Sequence, residues 1–341
     1  MDSKGMKVVY HLLPHAMNTV MALNDIVVPS RKQKLLVKHG VMITKPFLRR
    51  HLKRQYYYSR GHKLPMLEIS LLTLVVLLMK SKKSRIFSVH LPRDLIYVFI
   101  KLIKPNIKFF CTMHNDRKNF KIYHLLLFFF TKHLVQKTIC VSTAAYNSMH
   151  FFVSKSCIID NSVPIEEIKK YRKKIRHNDL IIVGRFVEQK NVFYIKQVID
   201  ALPNDVKVIW IGAGRLRSQI KELDSTQRIT FFETLSRSDV YKLLGNAKCY
   251  LCLSRWEGVG VSNLEAIAAG CRVVLSDIPP HREISKVADV ELVSLSSNVD
   301  EIASMIQGTL QHFISKPLTH FFISKYQNKH MLKKYDELFN E

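Results

Sequence analysis

The chain has no apolar run long enough to cross a membrane as a helix. Its longest uncharged apolar run covers Ile69–Met79, well short of the ~18–20 residues that a spanning helix needs. The first thirty residues also contain no clean apolar core followed by a small-residue cleavage site, so we expect no secretory signal. These absences predict a protein that stays in the cytoplasm.

Cysteine is sparse in the sequence. Six cysteines in 341 residues exclude the disulfide framework of small secreted proteins. Cys249 and Cys252 form a C-x-x-C pair, but Cys-Tyr-Leu-Cys-Leu predicts a strand, on which residues three apart point to opposite faces. We interpret this pair as structural and predict no metal site. Zinc-finger spacing and RNA-binding aromatic motifs are absent, and nucleic acid is not an expected partner.

Acidic residues are missing from a long stretch of the first half. No Asp or Glu lies between Asp25 and Glu68, while eleven Lys and Arg accumulate there. Residues 1–170 hold 29 Lys and Arg against 8 Asp and Glu, a net +21 of the total +26. Such a field attracts polyanions or an anionic membrane leaflet, at roughly 1 kcal/mol per basic residue. Tyr56–Tyr58 within the stretch suit a membrane interface, although an ordinary solvated basic face is the alternative.

Short apolar runs alternate with helix-like segments along the whole chain. This alternation is typical of βαβ units, in which a parallel sheet is covered by helices on both faces. The pattern restarts after a charged connector, Glu166–Asp179, and so we predict two doubly wound Rossmann-like domains facing a central cleft. Their predicted ranges are 1–170 and 171–320, followed by a C-terminal helix over 321–341 that could cross back to the first domain.

The individual elements follow from the same runs. Helices are predicted over Asp94–Ile103, Leu125–Val135, which should be buried, and Leu318–Phe339. The predicted strands are Val8–Tyr10, Arg85–Val89, Lys108–Met113, Thr138–Val141, Cys157–Asp160, Leu180–Val183, Val206–Ile211, Ile229–Phe232, Cys249–Leu253 and Arg272–Leu275.

The segment from Ser254 to Gly270 carries the densest chemistry. A predicted strand runs into a turn with Gly258 and Gly260, then into a helix from about Ser262 that ends at Gly270. Unpaired amides and the partial positive charge of that helix N-terminus suit a diphosphate. Glu257 and Glu265 offer carboxylates that can accept hydrogen bonds from vicinal sugar hydroxyls. Either glutamate alone could equally be a helix-stabilising acid.

These residues carry a family resemblance. Glu257 and Glu265 in Glu-Gly-Val-Gly-Val…Leu-Glu-Ala resemble the E-x7-E signature of glycosyltransferase family 4, and Gly184-Arg185…Lys190 is similar to that family's Gly-Arg…Lys motif. The resemblance implies a GT-B fold, retention of anomeric configuration and no metal or other cofactor. It also implies that Arg185 and Lys190 grip the donor diphosphate, that Glu257 holds the donor sugar and that Glu265 holds the ribose. The turn residues Gly258, Val259, Gly260 and Val261 complete the implied donor site.

In the first half, His114 follows the predicted strand Lys108–Met113 and resembles the family's histidine near the donor sugar. It is the second catalytic candidate beside Glu257, although one histidine among fifteen can equally be structural.

The function that these expectations describe is sugar transfer from a nucleoside-diphosphate sugar to a glycan or lipid-linked acceptor. The basic half favours an acceptor at an anionic membrane surface, such as a surface polysaccharide or lipopolysaccharide precursor, with the protein peripheral on the inner face of the cell membrane. Two alternatives stay open: a sugar-nucleotide epimerase of similar fold, and a non-catalytic basic protein that binds nucleic acid or membrane.

Overall fold

The fold is described from a computed structural model, which covers residues 9–12, 36–38, 41–43, 86–90 and 108–340, except 115–116, 118–119, 121 and 154. The described residues group into two compact units. One contains the described residues up to 141 together with 145–159 and the last residues from 336. The other contains 142–144 and 160–335. The predicted helix over 94–103 and the tyrosines Tyr56–Tyr58 lie outside the described residues.

The first unit contains a seven-stranded sheet in the order β2-β3-β1-β4-β5-β6-β7. Strands β1 and β4 to β7 are parallel, as predicted, whereas β2 and β3 form an antiparallel edge that the sequence did not reveal. Each edge strand has only three residues, too few for a periodic signal. The strands are β1 Val9–Leu12, β2 Leu36–Lys38, β3 Val41–Ile43, β4 Ile86–His90, β5 Lys108–Met113, β6 Lys137–Cys140 and β7 Ser156–Ile158.

Two helices of the first unit are described, α1 Ile122–Thr131 and α2 Thr143–Met149, and a short 3-10 turn follows α1. The prediction of a buried helix over 125–135 is wrong in two respects. The helix begins three residues earlier, and only one of its faces is buried, since Leu125 and Phe128 pack inward while Leu126 and Phe130 are exposed. A helix that is apolar all round carries no sequence signal for which face packs. No helix among the described residues is long and apolar enough to cross a bilayer.

The second unit is built on a six-stranded parallel sheet in the order β10-β9-β8-β11-β12-β13. From its central strand β8, the chain first winds to one side through β9 and β10, then returns to β11 and continues to the other side. The order therefore reverses between β8 and β11, which is where open parallel sheets bind ligands. The strands are β8 Asn178–Val183, β9 Val208–Ile211, β10 Ile229–Phe232, β11 Ala247–Cys252, β12 Arg272–Ser276 and β13 Glu291–Val293.

The strands of this sheet are buried on both faces, which explains their almost continuous apolar sequences. Trp210 on β9 stacks on Phe186, with ring centroids 4.7 Å apart, and both side chains are fully buried. Along β11, Cys249 and Leu251 belong to this core while Cys252 lies on the other face, which confirms the opposite orientation predicted for the two cysteines.

The helices of the second unit cover both faces of the sheet. The predicted single helix over 318–339 is divided, because Gln327 has an extended backbone and pairs with Val163 in a short bridge. The helices are α3 Ile165–Lys169, α4 Val192–Asp200, α5 Arg217–Glu222, α6 Arg237–Gly245, α7 Val261–Ala268, α8 Pro279–Ser285, α9 Val299–Gln311 and α10 His320–Tyr326. The last helix, α11 Asn328–Asn340, begins in this unit, and its residues from 336 are grouped with the first.

The charged connector over 166–179 is an integral part of the second unit. Arg176 is buried and donates to the carbonyls of Leu244, Ala247 and Ala269 at 3.3, 2.6 and 2.8 Å. The Arg172 guanidinium donates to the carbonyl of Ala268 at 2.9 Å. Guanidinium groups at these positions satisfy the orphan carbonyls at the C-termini of α6 and α7 and complement the negative ends of their dipoles.

This anchoring explains where the compact units divide. The sequence predicted that the first domain ends at residue 170, whereas the continuous part of the second unit begins at Asp160. Helix α3 packs against α6 and α7, and the arginines that follow it are bonded into the same helices. A run of charge in sequence does not distinguish a solvated linker from side chains that cap helices.

Replacing Arg176 by leucine should destabilise the second unit. The substitution leaves three buried carbonyls without their donor, at ~1–3 kcal/mol for each group that water cannot reach, so we expect a loss of at least ~3 kcal/mol in the free energy of unfolding. Urea unfolding followed by tryptophan fluorescence reports on this unit, because both tryptophans, Trp210 and Trp256, lie in it. The exposed neighbour Lys174→Leu is the control and should change stability by no more than ~0.5 kcal/mol; equal losses in both variants would contradict this role.

Candidate active site

The candidate site lies at the carboxyl ends of β8 and β11, where the strand order of the second unit reverses. The chain leaves β8 through Gly184 into the segment 185–191, and it leaves β11 through Ser254 into the turn 255–260. Parallel strands bring their carboxyl ends to one edge of the sheet. Two segments that are about 70 residues apart in sequence therefore lie side by side, and they carry six of the predicted residues.

Lys190 and Glu257 form a buried ion pair across these two segments. Lys190 Nζ donates to Glu257 Oε1, and Ser254 Oγ donates to the same oxygen at 2.8 Å. Burial alone would raise the pKa of Glu257, but the Lys190 charge and the two hydrogen bonds lower it overall. Burial alone would lower the pKa of Lys190, and the Glu257 carboxylate raises it overall. Both groups are therefore charged at neutral pH.

The segment after β8 is fastened to the turn after β11 through Gln189. The side-chain amide of Gln189 donates to the backbone carbonyl of Trp256 at 2.9 Å, and the backbone carbonyl of Gln189 accepts from the backbone amide of Arg255 at 2.9 Å. Arg185 donates to the Gln189 side-chain oxygen at 3.3 Å, which places its guanidinium at the exposed rim of the site. Asn191 has a left-handed backbone, at φ 55°, and ends the short 3-10 turn that carries Lys190. These bonds fix Arg185 and Lys190 relative to Glu257.

Helix α7 begins directly after the turn, and its N-terminus points into the same site. Gly260 precedes the helix with φ 77°, and a Cβ at this position would collide with the side chain of Asn263. Glycine is required here for both reasons. Gly258 and Val259 are buried and Val261 is the first helical residue, one position before the predicted start. No side chain of Gly260 caps the helix, and the amide of Asn263 in its first turn donates to the Gly260 carbonyl at 2.9 Å.

A buried polar network supports this helix tip from below. Asn263 accepts a hydrogen bond from the Tyr250 hydroxyl at 2.9 Å and donates to His281 Nε2 at 3.0 Å. His281 Nδ1 lies 2.7 Å from the carbonyl of Ser276 and donates to it, which leaves Nε2 free to accept from Asn263. The Ser276 hydroxyl in turn donates to the carbonyl of Ser254 at 2.6 Å. Sequence reasoning missed all of these residues, because a lone Asn or His inside an apolar stretch has no distinguishing pattern.

Glu265 lies in the helix at its fifth residue, one turn beyond the tip, where Arg237 pairs with it. Arg237 Nη2 is 3.2 Å from Glu265 Oε1, and its Nη1 donates to the Tyr241 hydroxyl at 2.9 Å. Arg237 is the first residue of α6, which follows β10. The sequence singled out Glu265 but not Arg237, although a cation shortly after a strand end is the kind of signal that could have found it.

His114 lies in the first unit, directly after β5 as predicted. Burial lowers its pKa to about 4, so its imidazole is neutral at physiological pH. The neighbouring Asp116 lies outside the described residues. Among the residues that the structure describes, no cluster of three or more His, Cys, Asp or Glu side chains could hold a metal ion.

The comparison with known families decides what kind of domain carries this arrangement. Residues 165–312 match the model of the family described as glycosyl transferases group 1. The match contains β8 to β13, and with them the Lys190–Glu257 pair and the tip of α7. These residues form a group 1 glycosyltransferase domain.

Curated relatives of the chain are also glycosyltransferases. A GDP-mannose:cellobiosyl-diphosphopolyprenol alpha-mannosyltransferase of Xanthomonas oryzae pv. oryzae is 23% identical over 202 residues, which are 55% of this chain and 53% of the relative. An O-antigen chain mannosyltransferase of Salmonella typhimurium is 26% identical over 160 residues, 45% of this chain and 44% of the relative. The chain thus spans about half the length of the curated relatives that it matches.

Solved structures of low identity share the fold. The Anabaena protein HepE in complex with UDP and glucose superimposes with a TM-score of 0.65 at 14% identity, over 79% of this chain and 81% of that protein. A glycosyltransferase from Rickettsia africae gives a TM-score of 0.63 at 16% identity, over 82% of each chain. The fold is GT-B, and the predicted α/β fold class is confirmed.

A double-mutant cycle should show that the group 1 domain depends on the Lys190–Glu257 pair. Lys190→Met or Glu257→Gln alone leaves a buried partner uncompensated, and each should lower the free energy of unfolding by ~3 kcal/mol. The double variant should lose clearly less than the sum, with a coupling energy of at least ~2 kcal/mol by urea unfolding.

The control cycle uses the ion pair between Arg215 and Glu188, which are 2.6 Å apart and 68% and 64% exposed. Water and salt screen such a pair, and its coupling energy should stay below ~1 kcal/mol. Equal coupling in the two cycles would show that the Lys190–Glu257 pair is not insulated from solvent.

Proposed function

We propose that the protein is a retaining glycosyltransferase that moves a sugar from a nucleoside-diphosphate sugar to a hydroxyl of a membrane-associated glycan or glycolipid. The observation that carries the proposal is the arrangement at the edge of the second sheet. Two carboxylates, Glu257 and Glu265, flank an uncapped helix tip, and each is paired with a cation from the neighbouring segment. Such a site offers positive charge for a diphosphate and acceptors for hydroxyl groups on both sides of it.

The helix tip and the two cations of the segment after β8 are the proposed diphosphate site. Backbone amides from Gly258 to Val261 supply donors in a fixed direction, and the helix dipole adds to their positive potential. Lys190 keeps further N–H donors beyond the one that it gives to Glu257. Arg185 at the rim supplies a second charge, and the group that its guanidinium contacts there is the neutral side chain of Gln189.

The same groups can accelerate the reaction. As the bond from the sugar to the diphosphate breaks, the leaving group gains negative charge, so fixed cations and amides stabilise the transition state more than the ground state. We propose that these groups, rather than a divalent metal, neutralise the leaving diphosphate. The acceptor hydroxyl forms the new bond to the sugar carbon on the face that the diphosphate leaves, and its proton passes to the departing phosphate.

The remaining roles follow from hydrogen-bonding capacity. Glu257 is proposed to hold hydroxyls of the donor sugar and Glu265 those of the ribose. His114 is proposed to contact the donor sugar as a neutral imidazole, because burial lowers its pKa. A neutral ring adds no positive charge beside the sugar carbon at which the bond breaks.

The acceptor is proposed from the charge of the chain and the names of its relatives. Matched relatives act on a diphosphopolyprenol-linked cellobiosyl group and on an O-antigen chain. Polyprenyl-linked glycans lie at a membrane surface, and a first half with a net +21 favours an anionic one. We therefore propose that the protein works in the cytoplasm, peripheral on the inner face of the cell membrane.

Glu265→Gln should lower kcat/KM for donor turnover by about tenfold to a hundredfold, mainly through a higher KM for the donor, because the amide accepts fewer hydrogen bonds from ribose hydroxyls. The measurement is release of nucleoside diphosphate from a panel of sugar nucleotides, in the presence of EDTA. Glu222→Gln, an exposed change in the same unit, is the control and should behave as wild type.

Two results would contradict the proposal. Wild-type turnover in Glu265→Gln would remove the carboxylate from the donor site. Conversion of the sugar nucleotide into an isomer by the wild-type protein, with no acceptor and no release of diphosphate, would instead identify an epimerase.

A further inference from the structure

The described part of the first unit carries an apolar surface that does not pack into its core. On α1, Ile122, Leu126 and Phe130 are spaced by four residues and form one stripe, and they are 69%, 49% and 73% exposed. Phe151, just after α2, is 66% exposed. We call these four side chains the apolar patch. Large exposed apolar side chains that cluster in this way mark an interaction surface, whereas isolated ones need no explanation.

Ring contacts join Phe130 on α1 to Phe151. Phe129, which is half-buried, contacts Phe130 at a centroid distance of 5.8 Å and stacks on Phe151, also at 5.8 Å. Phe151 in turn packs edge-on against Phe152 at 5.3 Å. Phe130 and Phe151 are therefore held on one surface by half-buried rings.

Cations border this aromatic cluster. Lys132 Nζ lies 4.0 Å from the centre of the Phe129 ring, and the Arg117 guanidinium lies 6.0 Å from that of Phe152. The sequence around the patch is free of acid, since no Asp or Glu occurs from residue 117 to residue 159 while six Lys and Arg do. An apolar centre bordered by basic side chains is the composition of a surface that enters the headgroup region of an anionic bilayer.

The charge decides between possible occupants of the patch. A second copy of the chain would bring the same acid-free segment, and a net charge of +26, against itself. The phosphates of a nucleic acid would pair with the cations but would leave Ile122 and Leu126 without apolar partners. An anionic lipid surface satisfies both features, because acyl chains accept the apolar side chains while the headgroups pair with the basic ones.

We propose that the apolar patch inserts into an anionic lipid bilayer and docks the enzyme there. This surface adds to the basic stretch over residues 26–67, and it supplies the apolar contact that charge alone cannot give. The inference rests on the proposed function in one respect, since a membrane-associated acceptor requires the enzyme to bind a membrane.

The double variant Phe130→Ser/Phe151→Ser tests the proposal by co-sedimentation with phosphatidylcholine vesicles that contain about one third phosphatidylglycerol. We expect the partition coefficient to fall at least about tenfold, because two phenyl rings no longer leave water. Phe321→Ser is the matched control, since Phe321 is 70% exposed on α10 of the other unit, and it should bind as wild type. Equal binding by the double variant and the wild-type protein would overturn the proposal.

A gain of signal removes the ambiguity of a variant that folds badly. Tryptophan fluorescence of Phe130→Trp should shift to the blue and be quenched by brominated lipid when anionic vesicles are added, whereas Phe321→Trp should not respond. The proposal is wrong if the fluorescence of Phe130→Trp stays unquenched. It is also wrong if Phe130→Ser/Phe151→Ser turns a wild-type dimer into a monomer without weakening vesicle binding, because the patch then contacts protein.

Donor turnover in solution separates this inference from the proposed function. The patch variants should release diphosphate from the sugar nucleotide at the wild-type rate, because none of their changed residues belongs to the donor site. Vesicle binding that depends on the patch, in a protein that turns over no sugar nucleotide, would sustain the docking surface and refute the proposed function.

Discussion

The second unit places a lysine and a glutamate, both charged, at the buried edge of a parallel sheet. Removing two ions from water is costly, and the cost is offset only where their geometry is close and their remaining hydrogen-bonding groups are satisfied. The surroundings of Lys190 and Glu257 meet that demand through Ser254, through the bridge made by Gln189 and through the tight turn at Gly260. The rigidity of the candidate site follows from the requirement that this pair stay together.

The same constraint gives the site its chemical use. A cation that is already desolvated and fixed does not have to reorganise when a diphosphate arrives or when its charge increases in the transition state. The network of Asn263 and His281 extends this order beneath the helix tip and reaches Glu257 through Ser276 and Ser254. Arg237 gives Glu265 a comparable support on the far side of the tip.

The sequence allowed the layout of the second unit to be predicted, because its strands are buried on both faces and alternate with helices of ordinary length. Arg185, Lys190, Glu257 and Glu265 were found from a family resemblance together with the rule that ligands lie at strand ends. The supporting residues Asn263 and His281 were not found, since their role arises only when β11, α7 and α8 pack together. The prediction that α1 is buried was wrong for a related reason, because a helix that is apolar on every side does not specify which face meets the core.

Hydrogen exchange on the whole 341-residue chain tests whether the N-terminus of α7 binds a diphosphate. Nucleoside diphosphates of each base are added in the presence of EDTA, and amide exchange is followed by mass spectrometry. The account predicts that at least one of them slows exchange over residues 258–263, at the tip of α7, together with residues 185–190. Protection that appears only elsewhere, or none with any nucleotide, would contradict the assignment of this helix tip as the diphosphate site.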